Sequence, residues 1–350
     1  MVDYLVVGSG LAGIAFAETA LANGKTILVF DDDSQNSTKV AGGLFNPVIL
    51  KRFSKLQDGA AQIDYLQRFY ADLEFKLKLE QRLLFNVPML RKFFSVEEQN
   101  NWFIASDKPG LSEFLSVDLV TKEYSGISSP YGFGEVLRTG YVDTALLRSA
   151  YIRYLDEIGM LLNQSVDYRA IAFDAAGIHY NEIQAKHIVF AEGFGVHANP
   201  FFNYLPLDGT KGELFIVNAP ELNLDVILNT NVFILPLGNS RFKVGATYNW
   251  QDKTALPTES GKLELVARLK EILNCDFEIE EHLAGVRPTV KDRKPLLGTH
   301  PEYQNLHILN GLGTRGVMLG PYMANLLFEN IENNVPLNPS IDIKRFWNKD

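Results

Sequence analysis

The stretch Tyr4-Leu5-Val6-Val7-Gly8-Ser9-Gly10-Leu11-Ala12-Gly13, which runs on in small and apolar residues to Ala22, decides how this chain folds. Tyr4 to Val7 reads as a buried strand and Leu11 to Ala22 as a helix, with a tight turn between them. The glycines fall in the spacing G-x-G-x-x-G. Gly8 permits the turn, Gly10 lets the backbone approach a pyrophosphate with no Cβ in the way, and Gly13 lets the helix lie close to the strand. The N–H groups at Leu11 and Ala12 open the helix, and its positive end favours phosphate. A second strand, Thr26 to Phe30, follows the Asn23-Gly24-Lys25 turn and is closed by Asp31, about 20 residues on, where an acid accepts hydrogen bonds from a ribose. Asp31, with Asp32 beside it, is the expected ribose ligand. The competing reading is a solvated acidic turn at Asp31 to Asp33. Three aspartates together disfavour the extra phosphate of NADP.

Composition narrows the function further. The 350 residues are long enough for one large or two modest domains with a real core. A formal charge of −9 argues against general affinity for nucleic acid or anionic membrane. Cys275 is the one cysteine, which rules out an internal disulfide framework or a cysteine metal cluster and makes a reducing cytoplasm the expected compartment. The 6 histidines show no metal-ligand spacing, so no metal is expected. There is no G-x-S-x-G elbow and no P-loop lysine after the first glycines. The apolar run Tyr4 to Ala22 is broken by Gly8, Gly10 and Gly13, contains Glu18 and has no basic segment before it, so neither a signal peptide nor a membrane span is expected.

Two further segments separate FAD from NAD. Ala41-Gly42-Gly43-Leu44-Phe45-Asn46-Pro47 is a small-residue loop after the second strand, suited to backbone contact with a flat ring. Near the C-terminus stand Gly285-Val286-Arg287-Pro288, Asp292 and Lys294-Pro295-Leu296-Leu297-Gly298. A strand from Leu306 to Leu309 then leads through Asn310-Gly311-Leu312-Gly313-Thr314-Arg315-Gly316 into a helical run from Val317 to Ile331. A glycine turn opening a helix is again a dipole site, suited to electron density at the pyrimidine end of a flavin.

On these residues the chain resembles the FAD-dependent amine and amino-acid oxidases that include D-amino-acid oxidase, glycine oxidase and sarcosine oxidase. Gly140-Tyr141-Val142-Asp143, Ile188-Val189-Phe190-Ala191-Glu192-Gly193, Lys211-Gly212-Glu213 and Val244-Gly245-Ala246-Thr247 extend the likeness over essentially the whole chain. It implies an α/β protein in which an FAD-binding Rossmann-like domain of the glutathione-reductase type (1–60, 140–200 and 285–350) interleaves with an antiparallel-sheet substrate domain (61–139 and 201–284). Strands are expected at Glu213 to Asn218, Val232 to Pro236 and Arg241 to Ala246, and a packed surface helix at Ile63 to Arg82.

The resemblance places Gly42, Gly43, Leu44, Ala191, Gly193, Gly311, Gly313, Thr314, Arg315 and Gly316 at the cofactor. Arg287, in the family's Arg-Pro motif, would grip a substrate carboxylate with two parallel hydrogen bonds; the alternative is a structural arginine paired with a carboxylate such as Asp292. Tyr248 is a substrate-binding candidate, or else a rim or core tyrosine. Lys211 reads either as a positive charge near the flavin or as a strand-end surface residue. The implied reaction oxidises a small amine or amino acid at the C–H next to nitrogen, by hydride transfer to flavin N5, with oxygen or another acceptor taking the electrons; no general base is assigned. Covalently flavinylated relatives carry a cysteine two positions before Arg287, where this chain has Gly285, so FAD is expected to be non-covalent.

Two departures stand out. The family commonly has a small residue at Glu192, and its arginine in the last glycine turn often stands one position before Arg315, where this chain has Thr314. These leave two other readings in play: an oxidase acting on a modified tRNA wobble uridine, or an FAD-bound scaffold without turnover. A nicotinamide dehydrogenase would leave the later glycine segments unexplained. Oligomeric state is open.

Overall fold

At the centre of the first sheet lies Val2–Val7, flanked in parallel by Ile27–Phe30 and Ile183–Phe190. The computed structural model describes residues 1–174 and 177–347. This sheet has eight strands, and draws them from segments far apart in sequence. Leu161–Leu162 extends it beyond Ile27–Phe30. On the other side Ile183–Phe190 is shared: its first half pairs antiparallel with Gly177–Tyr180, and its last residues pair in parallel with Leu306–Asn310. The carboxyl ends of Val2–Val7, Ile27–Phe30, Ile183–Phe190 and Leu306–Asn310 therefore open on one edge, where an open α/β sheet binds its ligand.

The helix Leu11–Ala22 is buried along most of its length because it lies between the sheet and a second helix, Gly316–Asn333. Such a helix needs no polar face. The one acid inside it, Glu18, is paired with Lys76 at 2.7 Å and accepts the Tyr151 hydroxyl at 3.2 Å. Asp143 caps the helix Thr144–Glu157, accepting the Leu146 N–H at 3.0 Å.

The second sheet also has eight strands, ordered Glu278–Arg287, Thr210–Asn218, Arg241–Gly245, Phe233–Gly238, Ile227–Asn229, Met89–Lys92, Phe133–Val136 and Leu115–Val120. Its neighbours are antiparallel apart from Ile227–Asn229 against Met89–Lys92. The expected strands at 213–218, 232–236 and 241–246 appear as Thr210–Asn218, Phe233–Gly238 and Arg241–Gly245. The helix expected at 63–82 runs instead from Gly59 to Leu77. Lys78 takes a left-handed conformation at φ 49°, and the Glu74 carboxylate accepts the N–H groups of Leu83 and Leu84, which turns the chain back.

Among the described residues no helix is long and apolar enough to cross a membrane, and no group of His, Cys, Asp and Glu is arranged to hold a metal ion.

Candidate active site

Gly8 has φ 101°, and a Cβ there would stand 2.7 Å from the Ala191 carbonyl oxygen. A Cβ on Gly13 would stand 1.8 Å from the Gly8 carbonyl oxygen. Both positions exclude a side chain, whereas Gly10 meets only the Thr38 hydroxyl at 3.2 Å and leaves its backbone open to approach. The Leu11–Ala22 helix has no side-chain cap on its first N–H groups other than the Thr38 hydroxyl, 3.2 Å from Leu11 N. This cradle, which a Cβ would fill, fits a pyrophosphate.

Asp31 is less free than a bare ribose ligand. It accepts the Ser9 hydroxyl and the Asp33 N–H, and pairs with Arg148 at 2.6 Å. Arg148 also reaches Asp33 at 2.9 Å. Asp32 accepts the Ser165 hydroxyl at 2.6 Å. The Asp31–Asp33 turn, Arg148, Ile152 and Asn163 line a cavity of about 410 Å³.

Ala191 N donates to the Val7 carbonyl at 2.8 Å, and the Asn310 side chain donates to the Gly193 carbonyl at 2.9 Å, which ties together the ends of three strands. Beyond them, Gly311 and Gly313 take positive φ values of 72° and 58°, and Gly313 N donates to the Pro288 carbonyl at 3.0 Å. A Cβ on Gly316 would lie 2.7 Å from a Leu11 methyl, so the helix beginning at Gly316 starts beside the one beginning at Leu11. Two positive helix ends thus face the same edge. Thr314 is exposed; Arg315 is partly buried, and its pKa is lowered first by burial and then by the neighbouring Arg293.

The 41–47 segment joins this edge to the second sheet. Gly43 has φ 71°, and a Cβ on it would strike the Val142 carbonyl oxygen at 2.0 Å; one on Gly42 would stand 2.7 Å from Phe233. Leu44 pairs with Tyr141. Lys243 Nζ donates to the Ala41 carbonyl at 3.2 Å, and burial lowers the lysine's pKa.

Arg287 ends the strand Glu278–Arg287, and its guanidinium folds back over Gly212 of the neighbouring strand. A Cβ on Gly212 would lie 1.9 Å from Nη2. The guanidinium donates to the Thr247 carbonyl at 3.2 Å and stacks on Tyr248 at 4.6 Å from the ring centroid. Asp292, one candidate for such a structural pair, pairs instead with Arg345 at 3.0 Å. No carboxylate among the described residues forms an ion pair with Arg287, and burial lowers its pKa. Tyr248 is 59% exposed, at the rim.

Side chains alternate across a strand, so Gly212 and Leu214 share the Arg287 face while Lys211 and Glu213 point to the back. Lys211 is neither a surface residue nor placed with Arg287. It is fully buried, pairs with Asp252 at 2.5 Å, and donates to the Thr254 hydroxyl at 3.3 Å and to the Leu256 carbonyl. Glu213 accepts the Thr258 N–H and hydroxyl at 2.9 and 2.6 Å, fastening the start of the helix Glu259–Lys270. A larger cavity of about 610 Å³ lies on that back side, between this helix and the segment from Cys275 to His282, away from Arg287. Cys275 Sγ packs there against Gly126.

The residue whose role the sequence left unread is Gly212. A glycine in the interior of a strand marks a close approach, and here the approaching group is the guanidinium.

A family model described as FAD dependent oxidoreductase matches residues 3–330. Glycine oxidase of Bacillus subtilis (strain 168) is 23% identical over 353 residues, covering 95% of this chain and 93% of that protein. The tRNA 5-methylaminomethyl-2-thiouridine biosynthesis bifunctional protein of Marinobacter nauticus is 22% identical over 93% of this chain and 55% of its own length. Among solved structures, glycine oxidase from Bacillus cereus ATCC 14579 superposes with a TM-score of 0.77 at 19% identity, covering 96% of both chains. Iminodiacetate oxidase from Chelativorans sp. BNC1 also gives 0.77 at 19% identity, covering 97% of this chain and 98% of the other.

Proposed function

Because the chain belongs to the D-amino-acid oxidase family of FAD-dependent oxidoreductases, we propose that it oxidises a small amine bearing a carboxylate at the C–H bond next to nitrogen. When bound, FAD supplies the hydride acceptor, and oxygen or another acceptor takes the electrons in turn.

The observation that carries this reading is the Arg287 guanidinium. It is laid flat on a glycine-floored face, backed by Tyr248, and among the described residues no carboxylate pairs with it. An incoming carboxylate completes that pair through two parallel hydrogen bonds, which fix the position of the carbon beside it. Leu214 and Phe233, buried and partly buried near Gly42 and Gly245, keep the neighbouring face apolar. The amine enters neutral, so the chain needs no general base. The cofactor is held without a covalent bond, since Gly285 stands where flavinylated relatives carry a cysteine and Cys275 packs against Gly126.

Anaerobic addition of glycine, sarcosine, proline, iminodiacetate and D-amino acids to the holoprotein tests the proposal. Bleaching of the flavin bands by one of these classes supports it and names the class; failure of all of them sinks it.

A second reading, oxidation of the amine carried by a modified tRNA uridine, draws on one feature. Arg293 and Arg315 stand near each other with no ion pair to either among the described residues. Unanswered guanidinium groups suit phosphates. Bleaching by the modified tRNA and by none of the free amines would select it.

A further inference from the structure

Glu192 occupies a position where the resembled family commonly has a small side chain. It follows Ile183–Phe190 directly after Ala191, and a Cβ on Gly8 would stand 3.5 Å from its Cα. It therefore leaves the sheet at the carboxyl ends of the strands, beside the turn that cradles the pyrophosphate. Although the residue as a whole keeps some exposure, its carboxyl group is closely packed. One oxygen accepts the Asn199 side-chain N–H at 2.8 Å and the other accepts the Tyr168 hydroxyl.

Among the described residues no cation forms an ion pair with it. From the end of Ile27–Phe30 comes Asp32, a like charge. Arg148 is engaged by Asp31 and Asp33, and Lys39 by Asp33 at 2.6 Å. From the turn that follows Glu192, His197 meets Phe194 edge-on at 4.8 Å between centroids and makes no ion pair with Glu192 among the described residues. The remaining neighbours, Asn199, Tyr168 and Gln35 near Gly195, are uncharged. An anionic carboxylate here would lie near the like charge of Asp32 and beside a cofactor that brings negative charge on its phosphates.

We propose that Glu192 is a proton-linked contact to the adenosine diphosphate half of FAD, holding the cofactor in its carboxylic-acid form and loosening it as the carboxylate. The Tyr168 hydroxyl both donates and accepts, so it satisfies the group in either form. Burial, with Asp32 adding to it against the two hydrogen bonds, raises the carboxyl to about 7. The transition therefore falls in the neutral range. The bound phosphates favour the acid form further, so cofactor binding takes up a proton when it occurs above pH 7. Affinity is then flat below about pH 7 and weakens by up to about tenfold per pH unit above it.

The test uses full-length protein stripped of cofactor, titrated with FAD between pH 6 and 9 and followed by flavin fluorescence, with ADP as a competing probe. The expected result is a Kd for both ligands that rises above pH 7 in the wild type and stays at its pH 6 value in Glu192→Gln. Calorimetry in buffers of different ionisation heat should show proton uptake near pH 8 in the wild type alone. Glu192→Ala, which restores a small residue, serves if the glutamine variant does not fold. A flat wild-type profile, an unchanged slope in the variants, or a slope seen with FAD and absent with ADP would each overturn the proposal.

Discussion

A guanidinium laid over a glycine on a sheet face, with its charge unanswered, is costly until a ligand arrives, and that cost makes Arg287 selective. Replacing it by lysine keeps the charge and loses the planar fork. We expect Arg287→Lys to lower kcat/KM for a carboxylated amine by roughly 100- to 1000-fold, equivalent to about 3–4 kcal/mol. Reduction by an amine without a carboxylate should fall far less, a difference that stopped-flow measurement of flavin bleaching resolves. Gly212→Ala tests the same contact from below. Its new Cβ would lie 1.9 Å from Nη2, so the fork must move. KM should rise while the visible spectrum and the FAD content stay as in the wild type; loss of the flavin instead would mean that Gly212 serves the cofactor.

At the scale of elements, the segment that carries Tyr248 is held from behind. Asn249 and Lys211 exchange backbone hydrogen bonds at 2.9 and 3.0 Å, and the Lys211 ammonium gathers Asp252, Thr254 and Leu256. Lys211→Met removes the centre of that arrangement, and should free the segment, weaken the stacking of Tyr248 on Arg287 and raise KM more than it lowers kcat. The same tether has a pH signature. Lys211 first, and then the Thr254 backbone and side chain, hold the Asp252 carboxyl down to about 2. Its contribution is complete above the ordinary 3.8 and is lost as pH falls towards 2. Trp250 fluorescence in Trp102→Phe, Trp347→Phe protein should change across that interval, and the change should disappear in Asp252→Asn. A transition that persists in Asp252→Asn would assign it to another carboxylate.

For the molecule as a whole, the cofactor edge is assembled from residues near 8, 31, 42, 191 and 313, so binding FAD draws distant segments together. At a concentration about 100-fold above Kd, FAD should stabilise the fold by about 2.7 kcal/mol and raise Tm by roughly 3–6 °C. Differential scanning calorimetry with and without FAD measures it. Gly13→Ala, whose Cβ would stand 1.8 Å from the Gly8 carbonyl oxygen, should yield colourless protein with no FAD-dependent shift.

What the sequence by itself determined was whatever depends on residues a few positions apart. The strand, glycine turn and helix from Tyr4 to Ala22, the strand from Glu213 to Asn218 and the glycine turn before Gly316 all rest on backbone geometry that closes within one turn or one pleat. A lysine beside a glycine, by contrast, reads equally well as surface or core, and only the approach of Asp252 and Leu256 buries Lys211. In the same way Asp292, five residues from Arg287, was a plausible partner until the fold brought Arg345 to it from 53 positions away. Tertiary structure decided these matters, along with the empty Cβ position of Gly212 beneath the guanidinium and the surroundings of Glu192, where no cation pairs with it among the described residues. Which groups meet across a sheet follows from register and packing, and an ionisable side chain takes its character from the groups it meets.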